Sequence, residues 1–265
     1  MILANTPIGR NVVDKAVTGW VNDLKMLNSS KNVRQFNFVY FSYRPDYSFL
    51  YLSIKTLVRY CKEIRKIYVF VDQKAPFSET EEKELKALDE RLTFKKIYNS
   101  SWASSESTMA EFGAFLDVCE ECPEGDFVAK VDSDILFFES SKLSRIARSN
   151  LLSFGDGHWD NYEFYQGGLY IIDAQLLRRV LAKVTLEYID HLVAHELNNN
   201  QGEDRVISHV LRSKNELYYT HLMLFPSEYS RLSKLNRFVR WDYCAMHFIR
   251  DKNSMPLMYQ KFCRQ

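Results

Sequence analysis

The chain has 265 residues, 46% hydrophobic and 26% charged, a mixture that suits a globular protein large enough to bury an enzyme-sized site. Its 35 basic residues meet 34 acidic ones, so no net field holds a nucleic-acid backbone or an anionic membrane by charge alone, and any anion must be held locally. The opening MILANTPIGRNVVDKAVTGW lacks the basic-then-apolar order of a secretory signal, and no apolar run approaches the roughly 18 residues that span a bilayer, which predicts a cytoplasmic protein with no transmembrane segment.

No repeat, low-complexity tract or Gly/Ser linker interrupts the chain, and we read residues 1–265 as one domain. FNFVYFSY (Phe36 to Tyr43) predicts a strand, followed by Leu50, Ile54, Leu57, Val58 and Cys61 at helical spacing. KIYVFVD (Lys66 to Asp72) predicts a second strand, and SETE (Ser78 to Glu81) has the form of a capping box that opens a helix. LTFKKIYN (Leu92 to Asn99) predicts a third strand. Thr108 and Glu111 then suggest another capping box, ahead of Phe112, Phe115, Leu116 and Cys119 on one helical face. FVAKVDSDILFF (Phe127 to Phe138) completes a β-α-β-α-β-α-β order, which implies a mostly parallel sheet covered by helices on both faces. Ligands of such sheets bind beyond the carboxyl ends of the strands, here marked by Arg44 and Asp46, Asp72, Asn99 and Ser100, and Asp132 and Asp134.

The second half is mixed. A glycine-rich turn is predicted around SFGDGHWDNYEFYQGG from Ser153, then a helix from about Ala174, a polar helix to about Asn198, GEDRVISHVLR, and a basic tail. Five cysteines, an odd number, predict free thiols in a reducing compartment. The one close pair, Cys119 and Cys122, lacks the second Cys/His pair that zinc would want.

On a strand, Val128, Lys130, Asp132 and Asp134 share a face, so one ammonium and two carboxylates point the same way. Lys130 could simply pair with Asp132 while Asp134 caps a turn. Because the pair ends a buried strand, however, two hard oxygen ligands suit Mg²⁺ or Mn²⁺ with substrate phosphates filling the remaining positions.

FVAKVDSDILFF resembles the Asp-x-Asp strand of GT-A glycosyltransferases, which move a sugar from a nucleotide-sugar donor to an acceptor, and Lys130 gives it the Lys-x-Asp-x-Asp form of the Fringe-like members. Ser133 stands where many of these carry an acid. Three later segments are similar to the family in order and spacing: YQGGLYIIDAQLLRRV (Tyr165 to Val180), GEDRVISHVL (Gly202 to Leu211) and CAMHFIR (Cys244 to Arg250). The likeness runs from about Phe36 to Arg250.

The resemblance implies an α/β fold of GT-A type, Rossmann-like with a mostly parallel sheet, in which about 36–140 binds the nucleotide and about 141–255 forms a mixed α+β acceptor side. It implies Mn²⁺ or Mg²⁺ held by Asp134 directly and by His247 as a third protein contact, with Asp132 binding the ion through water or holding the donor ribose. Asp72 would accept a hydrogen bond from the base, uracil, the alternative being a strand-end turn. Arg44, Lys130, Gly167, Gly168 and Arg250 would complete the donor site, with Arg250 over the diphosphate. Inversion needs a general base, for which Asp204 is the candidate beside Glu203, kept ionised by a helix N-terminus. Asp156, Asp160 and Glu163 compete for that role.

The other basic residues, Arg231, Lys234, Arg237, Arg240 and Lys252, most simply form a solvated face. Trp159, Trp241 and Tyr165 are candidates to stack on a sugar or to fill the core. The expected partners are a UDP-sugar donor and a glycan or glycoconjugate acceptor, with no nucleic acid. Alternatives are a retaining enzyme using a group such as Gln166, a nucleotidyltransferase, or a non-catalytic nucleotide-sugar-binding module.

Overall fold

The computed structural model describes residues 32–99, 104–157, 164–197, 202–226, 228, 242–248 and 251–263. Strand β1 (Phe36–Ser42) is followed by a 3-10 turn (Arg44–Asp46), helix α1 (Tyr47–Tyr60), β2 (Ile64–Asp72), α2 (Glu79–Lys86), β3 (Leu92–Ile97), α3 (Ser105–Glu121) and β4 (Phe127–Val131). All four strands are parallel, in spatial order β3-β2-β1-β4. Every residue of β4 is buried, because a central parallel strand with helices over both faces has no solvated side.

The chain runs outward from β1 to β3 and returns through α3 to lay β4 on the other flank of β1. The order therefore reverses between β1 and β4, and the crevice beyond their carboxyl ends is where such sheets bind ligands. On one face α1 buries Leu50, Ile54 and Leu57 against Phe36, Phe38 and Phe137. On the other, Phe112, Phe115 and Val118 of α3 pack with Val39 and Val128.

The second half adds β5 (Ile135–Phe137), α4 (Ser141–Ile146), β6 (Ser153–Gly157), β7 (Tyr165–Asp173), α5 (Ala174–Leu181), α6 (Leu186–His195), α7 (Glu203–Ser213), β8 (Met223–Leu224), β9 (Ala245–His247) and α8 (Met255–Phe262). Strand β7 extends the main sheet antiparallel to β4, and β6 pairs antiparallel to β7 at the edge, while β5, β9 and β8 form a separate three-stranded sheet.

Three local expectations change. Ser78 and Glu81 do form a reciprocal capping box, but α3 starts a turn before Thr108, because Ser104 Oγ accepts the Ser107 amide and caps the helix there. The start of the glycine-rich stretch, Ser153–Gly157, is strand β6 rather than turn, and 158–163 lie outside the described residues. Gly155 is needed for packing: a Cβ there would lie 2.5 Å from the Tyr165 ring. Strand β4 also ends at Val131, and Asp132–Asp134 is a turn into β5, pinned by Ser133 Oγ donating to Ser42 Oγ at 3.0 Å. Ser133 thus faces the end of β1, where an ionised side chain would be buried against a serine.

All five cysteines are free, four of them buried, including Cys119. No helix among the described residues is long and apolar enough to cross a membrane.

Candidate active site

The Asp132–Asp134 turn projects both carboxylates beyond the β1/β4 crevice. Strand β9 pairs antiparallel with β5 and sets His247 opposite Ile135, next to Asp134. The His247 Nε2 lies 3.6 Å from Asp132 Oδ2 and 3.4 Å from Asp134 Oδ1. One potential ligand atom from each of the three residues falls within 4.8 Å of the others. Turn geometry and a second sheet, not strand alternation, bring them together.

The imidazole is 1% exposed and fixed on three sides. Gln166 Nε2 sits 3.2 Å from Nδ1, the Phe225 ring stacks at 6.1 Å, and Gly168 lies so close that a Cβ on it would be 2.6 Å from Nδ1 and Cε1. Nε2 itself is buried without a hydrogen-bond partner. A buried polar atom left unmatched, aimed between two carboxylates, fits a divalent cation: two hard oxygens and one imidazole nitrogen suit Mn²⁺ or Mg²⁺. Without a cation, burial pulls the imidazole pKa down, but Asp132 and Asp134 outweigh it and raise the value to about 9.

Lys130, 8% exposed at its side chain, forms a second constellation. Its Nζ donates to Asp132 Oδ1 at 2.6 Å and to the Gly167 carbonyl, and lies 3.1 Å from Glu203 Oε1 in ion-pair rather than hydrogen-bond geometry. Burial disfavours the ammonium, yet Asp132, Glu203 and Glu111 hold it charged. Burial likewise opposes ionisation of Asp132, but Lys130 and His247 prevail and its pKa falls to about 2. Glu203 and Asp204 open α7, and Asp204 Oδ2 would be 3.1 Å from a Cβ on Gly167, so that glycine lets β7 and the acid approach. Asp204 differs from expectation: burial, then Glu203, push its pKa up to about 7, against the helix N-terminus that alone would keep it low.

The remaining expected residues divide. Asp72, at the end of β2, accepts the Lys74 amide through Oδ1 at 3.0 Å, a turn role that leaves its second oxygen unassigned. Arg44, at the end of β1, has a 60% exposed side chain that pairs with Glu81 at 3.3 Å. Asp156 accepts the Leu222 and Met223 amides through Oδ2 at 3.0 and 2.8 Å, a structural role. Tyr165 is core, its hydroxyl 2.7 Å from Ser153 Oγ. Asp160, Glu163, Trp159, Trp241, Arg231, Lys234, Arg237, Arg240 and Arg250 lie outside the described residues.

Lys252, expected on a solvated face, instead reaches the site. Its Nζ is 3.1 and 3.2 Å from the two Asp46 oxygens and 4.0 Å from Asp134 Oδ2. Glu111, expected to serve a capping box, lies inside α3, and its carboxyl is held well above the usual range by burial and then by Glu203. Only folding brings these two to the site, so local sequence carried no signal for either.

No family model matches the sequence, and no curated protein matches it. Solved structures do. The galactosyltransferase LgtC, in complex with donor and acceptor sugar analogues, superposes with a TM-score of 0.56 at 14% identity, over 86% of this chain and 97% of that one. An active-site variant of LgtC gives 0.57 at 14% identity over the same shares. Mouse xyloside xylosyltransferase 1, apo form, gives 0.50 at 9% identity over 83% of this chain and 98% of that one. The fold is therefore that of the GT-A glycosyltransferases.

Proposed function

We propose that the protein is a divalent-metal-dependent glycosyltransferase that moves a sugar from a nucleotide-sugar donor, a UDP-sugar, to a hydroxyl of a glycan or glycoconjugate. The observation that carries this reading is the convergence of Asp132, Asp134 and the unpartnered His247 Nε2 within 4.8 Å, at the crevice of a GT-A fold. Asp132, Asp134 and His247 would hold Mn²⁺ or Mg²⁺ there, which would supply stabilisation of the negative charge on the departing nucleotide. The Fringe-like likeness rests on the Lys-x-Asp-x-Asp pattern alone.

Lys252, already bound to Asp46 beside Asp134, is the described cation best placed to meet a diphosphate oxygen, a role the sequence had offered to Arg250. Lys130 fixes the rotamer of Asp132 and ties it to Glu203. Asp72, with one oxygen committed to its own turn, has a second that can accept from uracil. In the transfer step the acceptor oxygen attacks the anomeric carbon, the bond from that carbon to the diphosphate oxygen breaks, and the acceptor proton passes to Asp204. With a pKa near 7, Asp204 is ionised enough at neutral pH and basic enough to take it.

The second reading is retention, supported by Lys130 reaching both Asp132 and Glu203, which couples the acid pair to the candidate metal site. The near-neutral chain offers no support for a nucleic-acid channel, so a nucleotidyltransferase fits less well.

The test is turnover of a UDP-sugar panel with Mn²⁺ and a glycan acceptor, with the anomeric configuration of the product read by NMR. Inversion, with activity lost and UDP binding kept in Asp204→Asn, supports the base assignment. Full turnover by that variant overturns it, and absence of turnover with retained nucleotide-sugar binding returns the reading to a binding module.

A further inference from the structure

The two ring nitrogens of His247 have different surroundings. Nε2 points between Asp132 Oδ2 and Asp134 Oδ1, at 3.6 and 3.4 Å, without a hydrogen-bond partner. Nδ1 faces the end of the Gln166 side chain at 3.2 Å, and the ring is buried. Gln166 belongs to a three-residue tract of β7 that supports the site from both sides. The Gly168 carbonyl accepts the Asp132 amide at 2.9 Å, and the Gly167 carbonyl accepts from Lys130 Nζ, which also holds Asp132. The absent Cβ of Gly168 leaves room for the imidazole. The backbone of this tract thus fixes Asp132, while its one long side chain reaches His247.

The direction of the Gln166 hydrogen bond follows from the chemistry of the ring. A histidine that ligates a cation through Nε2 keeps its proton on Nδ1, and an imidazolium carries a proton on both nitrogens. Nδ1 therefore donates in either state and needs an acceptor opposite it. A glutamine amide presents its nitrogen or, after a half-turn about its last bond, its oxygen in the same place. Only the oxygen satisfies an Nδ1 donor. The amide nitrogen would instead favour the tautomer whose Nε2 proton blocks a metal. Resting on the metal-dependent reading above, we propose that Gln166 is a positioning residue for the candidate metal site, its amide oxygen accepting from Nδ1 of His247 and holding the ring with the Nε2 lone pair aimed at the ion.

Metal-bound histidines almost always donate from their second nitrogen to a carboxylate, a carbonyl or water, and loss of that partner weakens metal binding about 10- to 100-fold. The amide oxygen of Gln166 is a neutral acceptor, so it orients the ring without adding a third negative charge beside Asp132 and Asp134. This role also directs the Gln166 oxygen to the imidazole rather than to an anomeric carbon, which sets it apart from the part a retaining reaction would give it.

The experiment titrates Mn²⁺ into the full chain by calorimetry, as wild type, Gln166→Leu and Gln166→Glu, and follows the ring nitrogens of His247 by nitrogen NMR with diamagnetic Mg²⁺. Gln166→Leu keeps the bulk but loses the acceptor, and should bind Mn²⁺ about 10- to 100-fold more weakly. Gln166→Glu can only accept, and should bind at least as tightly as wild type, whereas a glutamine that donated would lose affinity in this variant. The nitrogen spectra separate hydrogen bonding from the added charge: with Mg²⁺ bound, Nδ1 should carry the proton in wild type and in Gln166→Glu. Should Gln166→Leu not fold, Gln166→Glu and the spectra still decide. Equal Mn²⁺ affinity in folded Gln166→Leu, weaker binding in Gln166→Glu, or a proton on Nε2 of the Mg²⁺-loaded wild type overturns the role of Gln166. Failure of wild type to bind either ion would instead strike the metal-dependent reading, and the role of Gln166 with it.

Discussion

Two groups of buried charge lie on either side of Asp132, and they are neutralised in different ways. Around Lys130 the countercharge is built in: one ammonium meets Asp132, Glu203 and the Gly167 carbonyl. Around His247 it is borrowed: two carboxylates converge on an imidazole that they hold protonated in the absence of metal, whose Nε2 has no hydrogen-bond partner and whose proton a cation would displace. Paired buried charges hold a fold in one arrangement, whereas an unbalanced set lowers stability until something binds. The first group should therefore report on folding and the second on metal.

The sharpest separation is expected from Asp134→Ala. Losing a direct ligand should lower kcat by about a thousandfold, the order that several kcal/mol of lost charge stabilisation implies, while the metal-free melting temperature holds or rises. Lys130→Met should do the reverse to stability. Removing one partner of a buried pair costs about 3–5 kcal/mol, to be read as a shift in the urea midpoint with and without Mn²⁺. Equal melting behaviour of the two variants would erase the contrast.

Smaller effects come from the glycines that let β7 close on the site. Gly168→Ala puts a Cβ 2.6 Å from the His247 ring, which must move, so Mn²⁺ affinity should fall about 10- to 100-fold by calorimetry. Gly113→Ala in α3, where nothing lies within 4 Å of the new methyl, should instead stabilise by roughly 0.5–1 kcal/mol. The pH dependence of Asp204 is subtler. Its folded pKa of about 7 is above the ordinary 3.8, so its contribution to stability is present at acid pH and is lost as pH rises from about 4 through 7. Asp204→Asn should therefore melt higher than wild type at pH 8 and no higher at pH 4, while the wild-type rate climbs through about pH 7.

How much of this was legible follows from what each signal requires. The β-α-β order, the Ser78 capping box and the Asp132/Asp134 pair are local: an apolar run broken by two acids stands out in the chain. His247 needed the order of motifs, since its own setting, Ala-Met-His-Phe, is that of a core residue. Lys252 contacts Asp46 across 206 residues, and no window along the chain links them. Glu111 comes under the influence of Glu203 through helix-on-sheet packing, which only the tertiary fold sets. Arg44 stands at the strand end that the sequence marks, but its exposed side chain pairs with Glu81, a partner no local pattern names.

The most direct test is a calorimetric titration of Mn²⁺ into the metal-free protein and into Asp134→Ala, each with and without UDP. The structure predicts one site in wild type, tighter when UDP is present, and none in the variant. Equal binding by both proteins, or UDP binding indifferent to Mn²⁺, would contradict it.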